Sequence, residues 1–205
     1  MARRLTPKGV QRRRELIDYA ARTFAAAGYH TTSVTSIVDG LGVGKGVFYW
    51  YFESKDQLLS EILADALRSM RLAQREAIAG EHDPARRIEQ GIRASLLWLS
   101  SNRHLFVLME FARTEEPFAD LIRLGDQQTV ADALPHVSAG ITAGLLREED
   151  PVVLTLAILG VTGHLARVLV LEQGQDADRV AEAVIAFCRQ GYVATDASSL
   201  NRRIA

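Results

Sequence analysis

The sequence predicts an all-α protein. Apolar residues recur at helical spacing along the chain, and no segment shows the strict alternation of a half-buried strand. Capping residues, and prolines preceded by an acid, stand where several of these segments begin. The chain has 205 residues, 48% of them apolar and 24% charged, which is typical of a globular protein of one or two domains. We expect two domains, over 1–55 and 56–205.

Three helices are predicted within the first domain. The apolar spacing predicts one helix from about Gln11 that ends at Gly28, a short helix with cap candidates in Thr31-Thr32-Ser33 that ends at Gly42, and another over 44–52. A glycine-containing tight turn between two helices is the helix-turn-helix arrangement. The same pattern also occurs in ordinary helix packing, so it does not establish a function by itself.

Further helices are predicted over the second domain. A capping box at Ser54 begins a long helix. Acid–proline pairs begin three more, at Asp83-Pro84 to about Ser101, Glu116-Pro117 to about Leu134, and Asp150-Pro151 to about Glu172. Asn102 and Asp176 are cap candidates for helices through Phe111 and Cys188. We expect Pro135 to kink or interrupt its helix and residues 194–205 to be frayed.

The net charge of −1 conceals an asymmetry. Residues 1–55 hold nine basic and four acidic residues, a charge of +5, whereas the other 150 residues hold fifteen basic and twenty-one acidic residues, a charge of −6. A basic first domain on an acidic second domain predicts a polyanionic partner for the first only. A solvated basic helix is the alternative explanation.

The helix over 44–52 has an unusual outer face. At about 100° per residue, Phe48 and Phe52 share the side that faces the core, and Trp50 lies opposite them. The other residues on or beside the outer face are Gly46, Val47, Tyr49 and Tyr51. This face suits a DNA major groove, where tyrosine hydroxyls reach phosphates and a glycine lets the backbone approach base edges.

At these residues the chain resembles the tetracycline-repressor (TetR) family of bacterial transcription regulators. The resemblance extends from about Arg12 to Ile62 and rests chiefly on the aromatic tract Val47-Phe48-Tyr49-Trp50-Tyr51-Phe52 followed by Ser54-Lys55. The family commonly has serine at the position of Gly44, so one phosphate contact is not expected here. The resemblance implies a three-helix DNA-binding domain over 1–55 and a helical effector-binding and dimerisation domain over 56–205.

The resemblance also implies roles for individual residues. Phosphate contacts are expected from Ser33, Lys45, Tyr49, Tyr51 and Lys55. Base-facing positions are expected at Thr35, Gly46, Val47 and Trp50. For the two tyrosines, packing against the first helix is the alternative.

In the second domain the resemblance implies an effector cavity and a dimer interface made by the last two helices. The ligand-binding candidates are Trp98, Phe106, Met109, His164 and Arg167. Arg167 has an alternative role, an ion pair with Glu172 or with an acid across the dimer. The interface candidates are Gly160, Gly163, Ala181, Val184, Ile185 and Cys188. For the two glycines, close packing within one chain is equally compatible with the pattern.

Other functional classes have little support in the sequence. The single cysteine, Cys188, excludes a disulfide framework, and the five histidines lack metal-ligand spacing, so we expect no metal or cofactor. The glycine-rich segment 40–46 lacks the first glycine and the final serine or threonine of a phosphate-binding loop. No catalytic set is apparent, so we expect no enzyme. No secretory signal is recognised and the apolar stretch 151–163 is short for a membrane span, so we expect a cytoplasmic protein.

These observations predict a ligand-responsive DNA-binding regulator. Most simply it is a repressor that binds double-stranded DNA as a homodimer at a palindromic operator and is released by a small apolar or amphipathic effector. A helical, lipid-like small-molecule carrier is one alternative, but it has no use for the aromatic face around Trp50. An architectural DNA-binding protein is another, but it has little use for a large apolar second domain.

Overall fold

The computed structural model describes residues 6–192, and within that range the chain forms nine α-helices and no strand. The all-α fold class is therefore confirmed. The predicted fraying of 194–205 falls outside the described residues, as do Arg3 and Arg4 of the basic N-terminal segment.

The helices follow one another with short connections. In chain order they are α1 (Pro7–Ala27), α2 (Val34–Gly40), α3 (Lys45–Tyr51), α4 (Lys55–Ile78), α5 (Pro84–Ser101), α6 (Arg103–Ala112), α7 (Glu116–Thr142), α8 (Pro151–Leu165) and α9 (Ala177–Tyr192). A π-helical segment, Ala166–Glu172, directly continues α8. The predicted helix over 151–172 is thus helical throughout, with a change of hydrogen-bond register at Ala166.

Helix α1 begins earlier than the apolar spacing predicts. Thr6 is its N-cap, where the side-chain oxygen accepts the N–H of Gly9 at 3.2 Å, and Pro7 occupies the first helical position. The helix ends at Gly28, whose φ of +91° is a conformation that favours glycine and whose N–H donates to the carbonyl of Phe24. The start near Gln11 was therefore wrong, because a cap and a proline define a first turn that precedes the helically spaced apolar residues beginning at Leu16.

The predicted caps are present at most of the later helices. Ser54 Oγ accepts the N–H of Gln57 at 3.0 Å, and Asp150 Oδ1 accepts that of Val152 at 2.7 Å. Equivalent bonds run to Asp83 from Ala85 and to Asp176 from Arg179. Each satisfies an N–H that the first turn of a helix leaves without an intrahelical acceptor.

Helix α7 does not end at Pro135 as predicted. It continues to Thr142, with the proline inside it. Proline removes the N–H that would donate to the carbonyl of Ala131, and both residues are exposed. Because that carbonyl lies on the solvent side, water can replace the missing donor and the helix continues.

The chain divides into two compact units whose boundaries fall inside α4 and α7. The first unit comprises the chain up to Arg68 together with Asn102–Arg123, and the second comprises Ser69–Ser101 and the chain from Leu124 onward. The first unit therefore extends beyond the expected domain 1–55. Its extra helix, α6, packs against α1, and burial of both apolar faces explains why it groups with the N-terminal helices.

Candidate nucleic-acid interface and ligand pocket

Helix α3 has one buried and one exposed aromatic face, as the helical wheel predicts. Phe48 and Phe52 are buried, with ring centroids 5.7 Å apart. Tyr49 and Trp50 are 58% and 55% exposed. Burying a large aromatic side chain is favourable, so two adjacent exposed ones indicate a surface that is used for contact.

The other predicted DNA-contacting residues, apart from Lys55, lie in α3, in α2 or at the N-cap of α2. Ser33, Thr35, Lys45 and Gly46 are exposed, and Val47 and Tyr51 are half-buried. A Cβ on Gly46 would have no neighbour within 4 Å, so the backbone is accessible there. Ser33 is also the N-cap of α2, where its Oγ accepts the N–H of Ser36 at 3.0 Å. These residues and Trp50 with Tyr49 form what we call the α3 surface.

Lys55 has different partners from those predicted. Its Nζ donates to the carbonyls of Tyr29 and Thr32, both at 2.9 Å, and lies 4.2 Å from the centroid of the Tyr29 ring. An ammonium with two acceptors and an aromatic face is already well coordinated. Lys55 therefore joins the first residue of α4 to the loop between α1 and α2, and the phosphate contact of its ammonium is not supported by this geometry.

Tyr29 is the centre of the packing around that loop. Its hydroxyl donates to the carboxylate of Asp56. Its ring packs edge-to-face with the rings of Phe24 and Phe118, with centroid separations of 5.2 and 5.4 Å respectively. Burial, followed by the charge and hydrogen bond of Asp56, raises the pKa of Tyr29 well above its usual range. The sequence alone does not reveal this role of Tyr29, because its partners Asp56 and Phe118 are distant along the chain.

Gly40 is a second position that the sequence reasoning did not identify. A Cβ there would overlap the ring of Tyr19 on α1. The last turn of α2 can therefore approach α1 only because the residue is glycine. Gly40 thus helps to hold α2, and with it the turn that leads to α3, against α1.

The second unit contains a cavity of about 170 Å³ lined by α4, α5, α7 and α8. Its charged lining consists of Arg71, Arg75, Arg87 and Asp132, with His136 beside them. Arg71 pairs with Asp132 through two bonds, Nε–Oδ2 at 2.7 Å and Nη2–Oδ1 at 3.2 Å. The apolar lining includes Ile78, Ile88, Ile92, Val137, Ile158 and Leu159.

None of the five predicted ligand-binding residues lines this cavity. Phe106 and Met109 are buried in α6 and belong to the first unit. Trp98 lies on α5 and donates from Nε1 to Ser69 Oγ at 2.9 Å. The assignment of Trp98, Phe106 and Met109 to a ligand site therefore finds no support in this cavity, because hydrophobicity alone cannot distinguish core residues from cavity-lining residues.

His164 and Arg167 lie elsewhere in the second unit. His164 is exposed, and Arg167 Nη1 donates to Glu172 Oε1 at 2.5 Å. The two residues share a face of the helix, since Arg167 Nη2 lies 3.5 Å from His164 Nδ1. The pairing with Glu172 that the sequence left open is therefore the arrangement found.

The predicted interface residues of α9 face the interior of their own chain. Ala181, Val184, Ile185 and Cys188 are buried, and α9 packs chiefly against α5. Burial also raises the pKa of the Cys188 thiol. These four residues were assigned to the wrong face of the helix, because the sequence shows an apolar stripe without showing what covers it.

Gly160 and Gly163 on α8 do lie on the outside. A Cβ at either position would meet nothing within 4 Å among the described residues, so neither glycine serves close packing within the chain. Several large apolar residues on these two helices are also exposed, namely Val152, Val153, Leu156 and Phe187. We call these exposed residues of α8, with Phe187 of α9, the α8–α9 face.

The stretch Pro151–Glu172 is long and apolar enough to cross a membrane by length and composition, with a mean hydropathy of 1.9 and 28% of it buried.

Comparison with known proteins adds to this geometry. Residues 16–62 match the sequence profile described as bacterial regulatory proteins, tetR family. The chain is 33% identical over 101 residues to a protein of Escherichia coli (strain K12) named "Probable acrEF/envCD operon repressor", covering 49% of this chain and 46% of that one. It is 37% identical over 78 residues to the transcriptional repressor KstR2 of Rhodococcus jostii (strain RHA1), covering 38% of each. The matched regions thus span less than half of these relatives.

Solved structures show the same fold over most of the chain. A bacterial regulatory protein in the tetR family from Rhodococcus RHA1 superposes with a TM-score of 0.77 over 91% of this chain and 99% of its own, at 23% identity. The ketosteroid transcriptional regulator KstR2 of Mycobacterium tuberculosis superposes with a TM-score of 0.73 over 90% and 96%, also at 23% identity. The helix-turn-helix region, residues 16–62, is thus similar in sequence to the tetR family of bacterial regulatory proteins, and the all-helical fold of the chain matches that of solved tetR-family structures.

Proposed function

We propose that the chain is a ligand-responsive repressor that binds a palindromic operator in double-stranded DNA through its α3 surface. The observation that carries this proposal is the exposed Tyr49–Trp50 pair on a helix whose other face is buried. Two of the relatives that the chain matches are named as repressors. No enzymatic step is part of the proposal.

The alternatives explain less of the molecule. A small-molecule carrier would have a use for the cavity but none for an exposed aromatic surface on α3. An architectural DNA-binding protein would use that surface without needing a cavity lined by charges. A regulator uses both.

The DNA-binding part is tested by selecting duplexes from a random library at moderate salt. We expect a defined palindromic sequence, because one recognition helix reads only a few base pairs and a dimer reads two half-sites. Trp50→Ala is expected to change sequence preference, and Tyr49→Phe to weaken binding to all sequences alike. Leu124→Ala, at a similarly exposed residue of the second unit, is the control. A wild type that binds duplexes without sequence preference, or a Trp50→Ala variant whose preference equals that of the wild type, would contradict the proposal.

The partner that covers the α8–α9 face is, in this proposal, a second copy of the chain. Gly160 and Gly163 leave the backbone of α8 accessible, and Leu156 and Phe187 supply apolar area beside it. A two-fold contact between identical apolar faces also supplies the symmetry that a palindromic operator needs.

Sedimentation of Leu156→Glu and Phe187→Glu tests this interface. Each variant is expected to be a monomer at micromolar concentration while the wild type is a dimer, because a charge on the buried face of an interface is costly. Leu72→Glu, at an exposed leucine of α4, is the control. A wild-type monomer, or wild-type binding to liposomes through this face, would contradict the assignment.

The cavity of the second unit is proposed as the effector site. Helix α4 is continuous from Lys55, which holds the loop between α1 and α2, to Arg71 and Arg75 of the cavity. A ligand releases DNA only if it favours a conformation that binds DNA less well, so operator DNA must weaken ligand binding by the same factor. Equal ligand affinities with and without operator would disprove the induction step but not DNA binding.

A further inference from the structure

The charged residues of the cavity are mostly basic. Three arginines, Arg71, Arg75 and Arg87, face a single carboxylate, that of Asp132. His136 adds no compensating negative charge. Burial, and after it the charge of Arg87, lowers the pKa of His136, while Asp132 acts in the opposite direction. The cavity therefore has an excess of positive charge at neutral pH.

The single carboxylate does not satisfy the three guanidinium groups equally. Arg71 takes both oxygens of Asp132, whereas Arg75 reaches Oδ1 only at 3.4 Å. Arg87 uses its Nε on the carbonyl of Glu81 at 2.5 Å, and no carboxylate within residues 6–192 forms an ion pair with it. Among the described residues, Arg87 is thus a cation beside an apolar wall without an anionic partner.

The uncharged polar groups of the cavity are already hydrogen-bonded. Gln74 Nε2 donates to Ser95 Oγ at 2.7 Å, and Ser95 Oγ donates to the carbonyl of Gly91 at 2.7 Å. The hydroxyls of Thr129, Thr155 and Thr162 donate to carbonyls of their own helices. The hydroxyl donors are thus engaged, so a ligand oxygen finds its hydrogen-bond donors chiefly at the guanidinium groups.

The size of the cavity limits the ligand. An apolar cavity of about 150 Å³ holds one benzene molecule, and the volume here is about 170 Å³. The isoleucines at 78, 88, 92 and 158 supply a surface for a short hydrocarbon or a single ring. Scaled from the six carbons of benzene, this volume corresponds to about seven non-hydrogen atoms, so ligands of roughly six to ten non-hydrogen atoms are the relevant size.

From these observations we propose that the effector is a small apolar monocarboxylate, with its carboxylate at Arg87 and Arg75 and its hydrocarbon part against the isoleucines. This inference rests on the proposed effector site and names its ligand class. A carboxylate at Arg75 competes with the weaker of the two contacts of Asp132. The same carboxylate would bridge Arg75 of α4 and Arg87 of α5. A shift of α4 would alter this bridge, so the ligand would bind the two conformations of α4 with different affinity, as a ligand-driven shift requires.

Calorimetry on the full chain tests the proposal with three probes of equal length, octanoate, 1-octanol and octylamine, and with hexanoate and phenylacetate as shape variants. Octanoate is expected to bind at least ten times more tightly than 1-octanol, and octylamine not measurably. Arg87→Met is expected to weaken octanoate binding at least tenfold and to leave 1-octanol binding unchanged. Arg86→Met, at the exposed neighbour of Arg87 on α5, is the matched control and is expected to bind octanoate like the wild type.

The outcomes separate the ligand class from the proposed function. Equal affinity for octanoate and 1-octanol, wild-type octanoate binding by a folded Arg87→Met, or no binding by any of the carboxylates would overturn the inference. Octanoate binding that depends on Arg87 but leaves operator affinity unchanged would support the carboxylate site and contradict its role in releasing DNA. Absence of sequence-specific DNA binding, measured separately, would refute the proposed repressor alone.

Discussion

The α3 surface and the cavity of the second unit arrange their polar and aromatic groups in opposite ways. The α3 surface exposes Tyr49, Trp50 and Lys45, whereas the cavity is lined by partly exposed guanidinium groups beside isoleucines. A large polyanion can reach only exposed side chains, and a small molecule is recognised best where water is excluded. Substitutions on the α3 surface are therefore expected to change binding without changing stability, and those around the cavity to change both.

The largest contrast is expected between the two faces of α3 itself. Phe48→Ala removes a buried ring and should lower the free energy of unfolding by about 3–5 kcal/mol. Trp50→Ala should change it by less than about 0.5 kcal/mol, because Trp50 is half-exposed and not part of the core. Urea denaturation of both variants checks this. A Trp50→Ala variant destabilised as much as Phe48→Ala would show that Trp50 serves packing.

The two lysines beside the helix-turn-helix give the next contrast. Lys55→Met leaves the carbonyl of Thr32 without the ammonium donor and that of Tyr29 with only the longer bond from Thr32 N–H at 3.3 Å, and it should cost about 1–3 kcal/mol of stability. It should leave the salt dependence of DNA binding unchanged, whereas Lys45→Met should lower that slope by about one unit with little effect on stability. DNA affinity measured at several salt concentrations tests the salt slopes predicted for the two variants. A lower slope for Lys55→Met would restore the phosphate contact predicted from the sequence.

A smaller effect is expected at the ion pair of the cavity. Asp132→Asn leaves Arg71 without its bidentate partner and should cost about 1–2 kcal/mol, less than a fully buried pair because both side chains are partly exposed. Asp120→Asn, in an exposed pair with Arg123, is the control and should change stability by less than about 0.5 kcal/mol. Thermal and urea unfolding measure both. Equal effects of the two substitutions would indicate that the cavity pair is no different from a surface pair.

The smallest effect is expected from pH. Burial is the main cause that lowers the pKa of both His104 and His136. The positive charge of Arg22 lowers the pKa of His104 further, and that of Arg87 does the same for His136. Unfolded histidines titrate near 6.5, so the unfolded state takes up protons first as pH falls and stability is lost below that value. The melting temperature should fall between pH 7.5 and 5.5, and less steeply in a His104→Gln/His136→Gln double variant. An unchanged slope in the double variant would assign the pH dependence to other groups.

The helix-turn-helix was predictable because its information is contiguous. Residues 44–52 form one helix, so a wheel suffices to separate Phe48 from Trp50. The caps at Asp83 and Asp150 are equally local, since each bonds an N–H two residues away. Local signals of this kind fix the helices and the exposed face of α3.

The cavity and the interface were not predictable in the same way. Arg71 and Asp132 are 61 residues apart, and Val184 is buried by a helix almost a hundred residues earlier in the chain. An apolar stripe gives the same signal whether it faces a core, a cavity or a second chain. Lys55 illustrates the limit at short range, because only the folded loop reveals the carbonyls that occupy its ammonium.

One spectroscopic titration tests directly whether the α3 surface binds DNA. The chain has two tryptophans, so a Trp98→Phe variant leaves Trp50 as its single indole fluorophore. Titrated with a duplex selected by the wild type, the variant should show a shifted and altered Trp50 emission at the concentration where labelled DNA becomes bound. A scrambled duplex at the same salt should produce neither change. Full binding of the selected duplex with unchanged Trp50 emission would contradict the account.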